Sequence, residues 1–192
     1  LDLVLDGQKS RVDGSIVFNA ATEDLDIELR FDGFEPGLVT RNSDIDLVRK
    51  LSAFNLSLSG ELGVRMNIDG LVKTVRLDLS SRLGEASGSL TFHPDGYNYT
   101  AKFDIGAIPV ARLAEVMPEY DALAALQANA SGRVTLDGAI DGRIGVIDFD
   151  LQIGEGMVDA PNALATPIKF KSGRLSGRIE EGLSRFQIRE AS

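Results

Sequence analysis

The 192-residue sequence predicts a mainly β protein: antiparallel strands arranged as repeated hairpins, with short helices inserted between some of them. Three observations predict it. Apolar and polar residues alternate with a period of two along most of the chain. Short turn signals separate the alternating runs. The first and second halves also resemble each other in pattern.

The longest alternation runs from Phe54 to Ile68 (FNLSLSGELGVRMNI). Phe54, Leu56, Leu58, Leu62, Val64, Met66 and Ile68 share one parity with Gly60, while Asn55, Ser57, Ser59, Glu61, Arg65 and Asn67 fall on the other with Gly63. Earlier in the chain Leu25, Ile27, Leu29 and Phe31 alternate with Asp26, Glu28, Arg30 and Asp32. Val75, Leu77 and Leu79 alternate with Arg76 and Asp78, and Tyr97, Tyr99, Ala101, Phe103 and Ile105 with Asn98, Thr100, Lys102 and Asp104. Leu126 to Leu136 and Ile147 to Ile153 continue the pattern. One apolar and one polar face is the mark of antiparallel strands wetted on one side. The turn signals DGQKSRVDG, NAATED, DGLVK, HPDGY and DGAIDG lie between the runs and are spaced for hairpins. Gly60, Gly88 and Gly132 fall on the apolar parity, where a glycine marks a bulge, a bend, a close backbone approach or a break in the strand.

Two segments leave the period. In Glu35 to Leu51, Ser43 and Asp46 have the spacing of a capping box before a short helix. In Ile108 to Leu126, Pro109 suits a first helical position and Val110, Leu113, Val116 and Met117 form an apolar side; Pro118 ends that turn ahead of a second short helix.

The halves align at an offset of about 72–74 residues. Gly14, Ser15 and Phe18 fall on Gly88, Ser89 and Phe92; Phe31-Asp32 on Phe103-Asp104; Ser59-Gly60 on Ser131-Gly132. This divides the chain into a first repeat at 1–85, a second at 86–160 and the start of a further one at 161–192, all within one continuous sheet. The second copy of the long strand is less apolar, with Ala128 and Ala130 where the first has Leu56 and Leu58. A repeat that cannot bury its own apolar face stacks on its neighbours. Two architectures satisfy that demand: a closed sandwich, which composition alone favours, or a trough whose inner wall stays apolar. The seven large apolar residues of Phe54 to Ile68 put something on the order of 10 kcal/mol, as an upper bound, on covering that strand.

Composition restricts the chemistry. The formal charge is −9, which disfavours nucleic acid and anionic surfaces as partners. Apolar residues make up 43% and aromatics only 6%, so a sizeable core is possible and it is mostly aliphatic. The chain has no Cys, which excludes disulfide, thiol and zinc-ribbon chemistry. No apolar run approaches the length of a membrane span. The chain starts within LDLVLDG and stops within FQIREAS, both strand-like, and so reads as a piece of a longer one. The single His93 lies in the turn FHPDGY with no Cys or second His to join it. Carboxylates are plentiful but occupy the wet parity. DGAIDG lacks the ligand spacing of a calcium loop, and no phosphate-binding glycine loop is present. No enzymatic activity, metal or cofactor is expected.

Three stretches carry a family resemblance: FDGFEPGLV at 31–39; FDIGAIPVARLAEVMPEYDAL at 103–123; and 130–180, where Gly154 and Gly156, Pro161, Pro167 and the step from Gly173 to Gly177 set the cadence. The chain resembles the AsmA-like superfamily of envelope proteins, specifically its YhdP-type central region. That resemblance implies a strongly curved sheet forming an open hydrophobic groove. It also implies a periplasmic location in a Gram-negative bacterium, within an inner-membrane-anchored protein that moves phospholipids between inner and outer membranes. The expected partners are phospholipid or fatty acyl chains, the rest of the same chain, and the two membranes through regions outside it. On this reading the groove is lined by Leu25, Ile27, Leu29, Phe31, Phe54, Leu56, Leu58, Leu62, Val64, Met66, Ile68, Leu77 and Leu79 from the first repeat. Leu90, Phe92, Tyr97, Tyr99, Phe103, Val134, Leu136, Ile147, Phe149 and Leu151 line it from the second. Val110, Leu113, Val116 and Met117 form a helical cover. The alternative is a closed β-sandwich, structural or adhesive, with no ligand.

Overall fold

The structure is a computed structural model that describes residues 2–5, 8–35, 57–116, 118–141, 143–162, 165–180 and 185–192. It is mainly β, as the alternation predicts. Eleven strands form one antiparallel sheet in nearly sequential order. They are β1 (Asp2–Leu5), β2 (Gln8–Asn19), β3 (Asp24–Phe34), β4 (Leu58–Asn67), β5 (Val72–Ser81), β6 (Gly84–Phe92), β7 (Asn98–Pro109), β9 (Asn129–Ala139), β10 (Ile144–Ile153), β13 (Gly173–Glu180) and β14 (Arg185–Ala191). β1 and β14 are the two edges, so the sheet is open rather than closed into a barrel. A second sheet of three short strands joins β8 (Leu126–Gln127), β11 (Gly156–Val158) and β12 (Ile168–Phe170).

The run expected from Leu126 to Leu136 is therefore divided. Leu126 and Gln127 pair with Val158 and Met157, and the main-sheet strand starts only at Asn129. Alternation does not register this, because both pieces keep the same parity. Of the Phe54 to Ile68 run, β4 begins at Leu58; Phe54 and Leu56 lie outside the described residues.

Tight turns close one end of the main sheet. Between β4 and β5, Asn67 Oδ1 accepts from the Leu71 N–H at 2.7 Å, with Gly70 left-handed at φ +85°. Between β6 and β7, Asp95 Oδ1 accepts from the N–H groups of Tyr97 and Asn98 at 2.8 and 3.0 Å. Asn, Asp and Gly are the residues such turns demand. The longer connections leave from the other end: α1 (Val110–Val116) and a 3-10 helix (Pro118–Ala125) follow β7, and β11 and β12 follow β10. The helix pattern in Ile108 to Leu126 thus appears as expected, with Pro109 as the last residue of β7. The helix expected between Glu35 and Leu51 falls almost entirely on residues outside the description.

Gly60, Gly88 and Gly132 do not break strands; each lies inside one. Gly60 stands opposite Phe31 and Leu79, beside a register shift between Phe31 and Phe34. Gly132 stands opposite Ile105 and Leu151, beside a shift between Ile105 and Ile108. A Cβ at Gly60 would overlap the Asp78 carbonyl oxygen, and one at Gly132 the Asp150 carbonyl oxygen. The same backbone approach therefore occurs twice, 72 residues apart. Phe31 corresponds in the ladder to Ile105, not to Phe103, since each faces the glycine at its bulge. The spacing is 74 residues over the first two strands, as Gly14 and Gly88 also show, and 72 over the next two. The intervening insertion absorbs the difference.

Candidate functional site: an apolar sheet face

The ladder places apolar residues of successive strands side by side in transverse rows. One row reads Ile16, Ile27, Val64, Val75, Leu90, Ala101, Leu136, Ile147, Ile179 and Phe186. The next reads Gly14, Leu29, Leu62, Leu77, Gly88, Phe103, Val134, Phe149, Gly177 and Ile188. A third reads Val12, Phe31, Gly60, Leu79, Ala86, Ile105, Gly132, Leu151, Leu175 and Ala191. Each row crosses from β2 to β14 without a polar side chain. At a strand spacing of about 4.8 Å the face extends roughly 43 Å across the strands.

Among the described residues, little protein lies over this face. Among the described residues no large side chain is fully buried. Leu29, Leu62, Val64, Leu77, Phe103, Val134, Phe149 and most of their row neighbours on the inner strands are half-buried, and the small residues Ala101 and Gly177 among them are buried. Ile16 and Ile188, near the two edges, are 69% and 57% exposed. Exposure that rises where one flanking strand is lost shows that shielding comes from neighbours within the sheet rather than from a layer above. The chain exposes 12367 Å² in all, against about 8,900 Å² for a compact monomer of this mass.

Among the described residues, cover is seen at one end. Leu83, in the β5–β6 turn, is buried against Leu58, Ile108 and Leu113, which brings α1 to the sheet. Val110 is also buried. Burying a side chain such as Leu83 contributes about 1.5–3 kcal/mol, so this contact anchors the helix. Of the expected helical cover, Val110 and Leu113 are placed here. Met117 lies outside the described residues, and so does the side chain of Val116.

Two residues expected in the lining sit elsewhere. Ile68 follows the end of β4, in the turn, and is 60% exposed. Tyr97 precedes β7; its hydroxyl donates to Asp141 Oδ2 at 2.5 Å and accepts from Arg143 Nη2 at 3.0 Å. Parity extrapolated past the strand ends missed both. Tyr99 does remain in the ladder, opposite Phe92 and Gly138, with the Phe92 and Tyr99 rings 5.7 Å apart.

The opposite face is polar and crossed by ion pairs between adjacent strands. Asp26 accepts from Arg65 at 2.7 and 3.2 Å, Asp150 from Arg174 at 2.9 Å twice, and Asp148 from Arg178 at 3.0 and 2.8 Å. Arg30–Glu61 and Arg133–Asp104 extend the set, and Arg189 of β14 reaches Asp148 of β10 across the intervening β13. Exposed pairs add little stability singly. Together they oppose a one-residue slip, which would carry every charge onto the apolar side. At the β3 end Asp24 is buried and accepts from Lys73 Nζ at 2.5 Å.

Hydrogen bonds from Arg65, Arg178 and Arg174 hold the carboxyls of Asp26, Asp148 and Asp150 below the usual range, and the bond from Lys73 does the same for Asp24. A carboxyl whose folded pKa is depressed contributes stability above its unfolded pKa of about 3.9, and that contribution is lost as pH falls through the folded value. The chain is therefore expected to hold constant stability from pH 7 to 5 and to lose it below pH of about 4. Asp148→Asn, which removes the shared acceptor of Arg178 and Arg189, should lower stability at pH 7 slightly and flatten the acid limb. Urea midpoints measured across pH check both.

No family model, curated protein or solved structure matches this chain. Among the described residues no cluster of His, Cys, Asp or Glu is arranged to hold a metal ion, and no helix is long and apolar enough to cross a membrane.

Proposed function

We propose that the chain is a lipid-handling segment whose apolar face binds hydrocarbon tails, and that it contributes to phospholipid transport between the inner and outer membranes from a periplasmic, membrane-anchored protein. The observation that carries the reading is the set of transverse rows. They form a continuous apolar surface, mostly aliphatic and without polar side chains, and the described protein layers leave most of it open. An acyl chain needs no more than such a wall. Hydrocarbon laid on half-buried Leu, Ile, Val and Phe removes the residual exposed area at about 25 cal/mol per Å², while head groups stay in water.

The rows run across the strands, and their roughly 43 Å length is about twice that of an extended acyl chain. A tail moving along them exchanges one aliphatic contact for another at every strand, with no polar barrier. The envelope location and the link to the two membranes rest on the family resemblance at 31–39, 103–123 and 130–180. The sheet curls around its cargo in this reading, with the glycine bulges at Gly60 and Gly132 as the bending points.

The test is to purify the chain from cells, extract it with organic solvent and titrate the stripped protein with a fluorescent fatty acid. Phospholipid in the extract and saturable uptake are expected. An empty extract together with no uptake would overturn the reading in favour of a ligand-free structural repeat.

A further inference from the structure

The turn between β6 and β7 and the turn between β9 and β10 lie side by side, and a cleft of about 520 Å³ opens between them. Its polar wall comprises His93, Asn98, Asp137 and Arg143; Tyr99 and Ile144 complete it. No use of the apolar face explains this cluster, which contains the single His of the chain.

The hydrogen bonds fix which atoms are left for a ligand. Arg143 gives Nε to Asp141 Oδ2 at 2.6 Å and Nη2 to the Tyr97 hydroxyl at 3.0 Å, and its guanidinium lies over the Tyr97 ring at 5.7 Å. The group is thereby held in one plane, and among the described residues Nη1 has no partner. The Thr100 hydroxyl donates to Asp137 Oδ1 at 2.8 Å. Its single proton being spent, the 3.3 Å contact with His93 Nε2 is one in which the ring N–H donates and the hydroxyl accepts. Asp137 Oδ2 is left as an acceptor. One fixed cation and one fixed carboxylate thus share a cleft sized for a small molecule. A simple anion meets repulsion from Asp137 and Asp141; a simple cation meets Arg143.

We propose that this cleft binds a zwitterion carrying a phosphate ester and an ammonium group, with the phosphate on Arg143 Nη1 and the ammonium on Asp137 Oδ2. The site stands apart from the acyl-binding reading. The same chemistry is carried by a lipid head group and by its free soluble form.

Calorimetric titration tests it in two matched pairs: glycerophosphoethanolamine against glycerol phosphate and, below their micelle concentrations, lysophosphatidylethanolamine against lysophosphatidic acid of the same acyl chain. In at least one pair the ethanolamine compound is expected to bind roughly tenfold tighter. Arg143→Gln, which removes the charge, and the isosteric Asp137→Asn, both at exposed positions, are each expected to abolish that preference and to leave fatty-acid uptake and the circular dichroism spectrum unchanged. A preference in the lysolipid pair alone assigns the site to lipid head groups, and a preference in the soluble pair extends it to soluble compounds. No preference in either pair, or a preference that survives both substitutions, overturns the proposal. Failure of fatty-acid uptake alone overturns the acyl reading and leaves this one standing.

Discussion

Gly60→Ala is expected to destabilise the protein by about 3 kcal/mol or more, whereas Gly63→Ala, three residues along the same strand, is expected to be neutral or to stabilise it by a few tenths of a kcal/mol. The added methyl at Gly60 overlaps the Asp78 carbonyl oxygen, which is backbone held in the β4–β5 ladder and cannot swing aside. At Gly63 the same methyl meets Arg76 side-chain atoms at 3.8 Å, an ordinary contact. There the remaining effect is a smaller entropy loss on folding, which favours alanine. Gly132→Ala should repeat the Gly60 result, since its Cβ would overlap the Asp150 carbonyl oxygen and its φ of +154° disfavours an L-residue. Urea denaturation of the three variants measures the contrast. Equal effects at Gly60 and Gly63 would mean that the two strands do not approach as described.

The second large effect is expected on ligand uptake rather than on folding. Leu62 and Leu77 are cross-strand neighbours in the middle of one apolar row, and both are half-buried. Replacing both with Asn removes two Leu contacts from a bound chain. At about 1.5 kcal/mol each, the double variant should bind fatty acid roughly 100-fold more weakly. Its stability should fall by only about 1 kcal/mol per site, because the amides reach water when no ligand is present. In a sealed sandwich the same changes would bury unpaired amides and leave voids, at about 3–5 kcal/mol each. Fatty-acid titration and urea unfolding of one protein sample separate the two cases.

Most of the fold is legible from residue parity. Side chains two apart share a face, so Leu25 to Phe31, Leu58 to Met66, Val75 to Leu79 and Ile147 to Ile153 could be assigned to one apolar surface before any pairing was known. The positions misread are those where parity ceases to be a physical constraint. Ile68 and Tyr97 continue the alternation but lie in turns, where Asn67 and Asp95 direct the backbone through their own hydrogen bonds. Leu126 keeps the parity of β9 yet pairs with Val158, because a partner strand distant in sequence leaves no mark on local pattern. Residue type pairs Phe31 with Phe103, whereas register is set by backbone geometry at the glycine bulges. The rows across the sheet were not legible at all, since they depend on register between paired strands up to 43 residues apart in the chain, as Asp24 and Asn67 show. The cleft at His93 is illegible in the sequence for a related reason. Its members come from two turns some 45 residues apart, joined only when β7 pairs with β9.

The central claim is that the apolar face is open in the protein alone and is covered by hydrocarbon when lipid binds. Because the chain has no Cys, Leu77→Cys introduces a single thiol in the middle of that face. Its rate of reaction with a small maleimide can be measured on delipidated protein and again with saturating oleic acid. Rapid labelling without lipid and strong protection with it are the predicted results. A thiol that is unreactive in the delipidated, folded protein, or one whose labelling oleic acid leaves unchanged, would contradict the account.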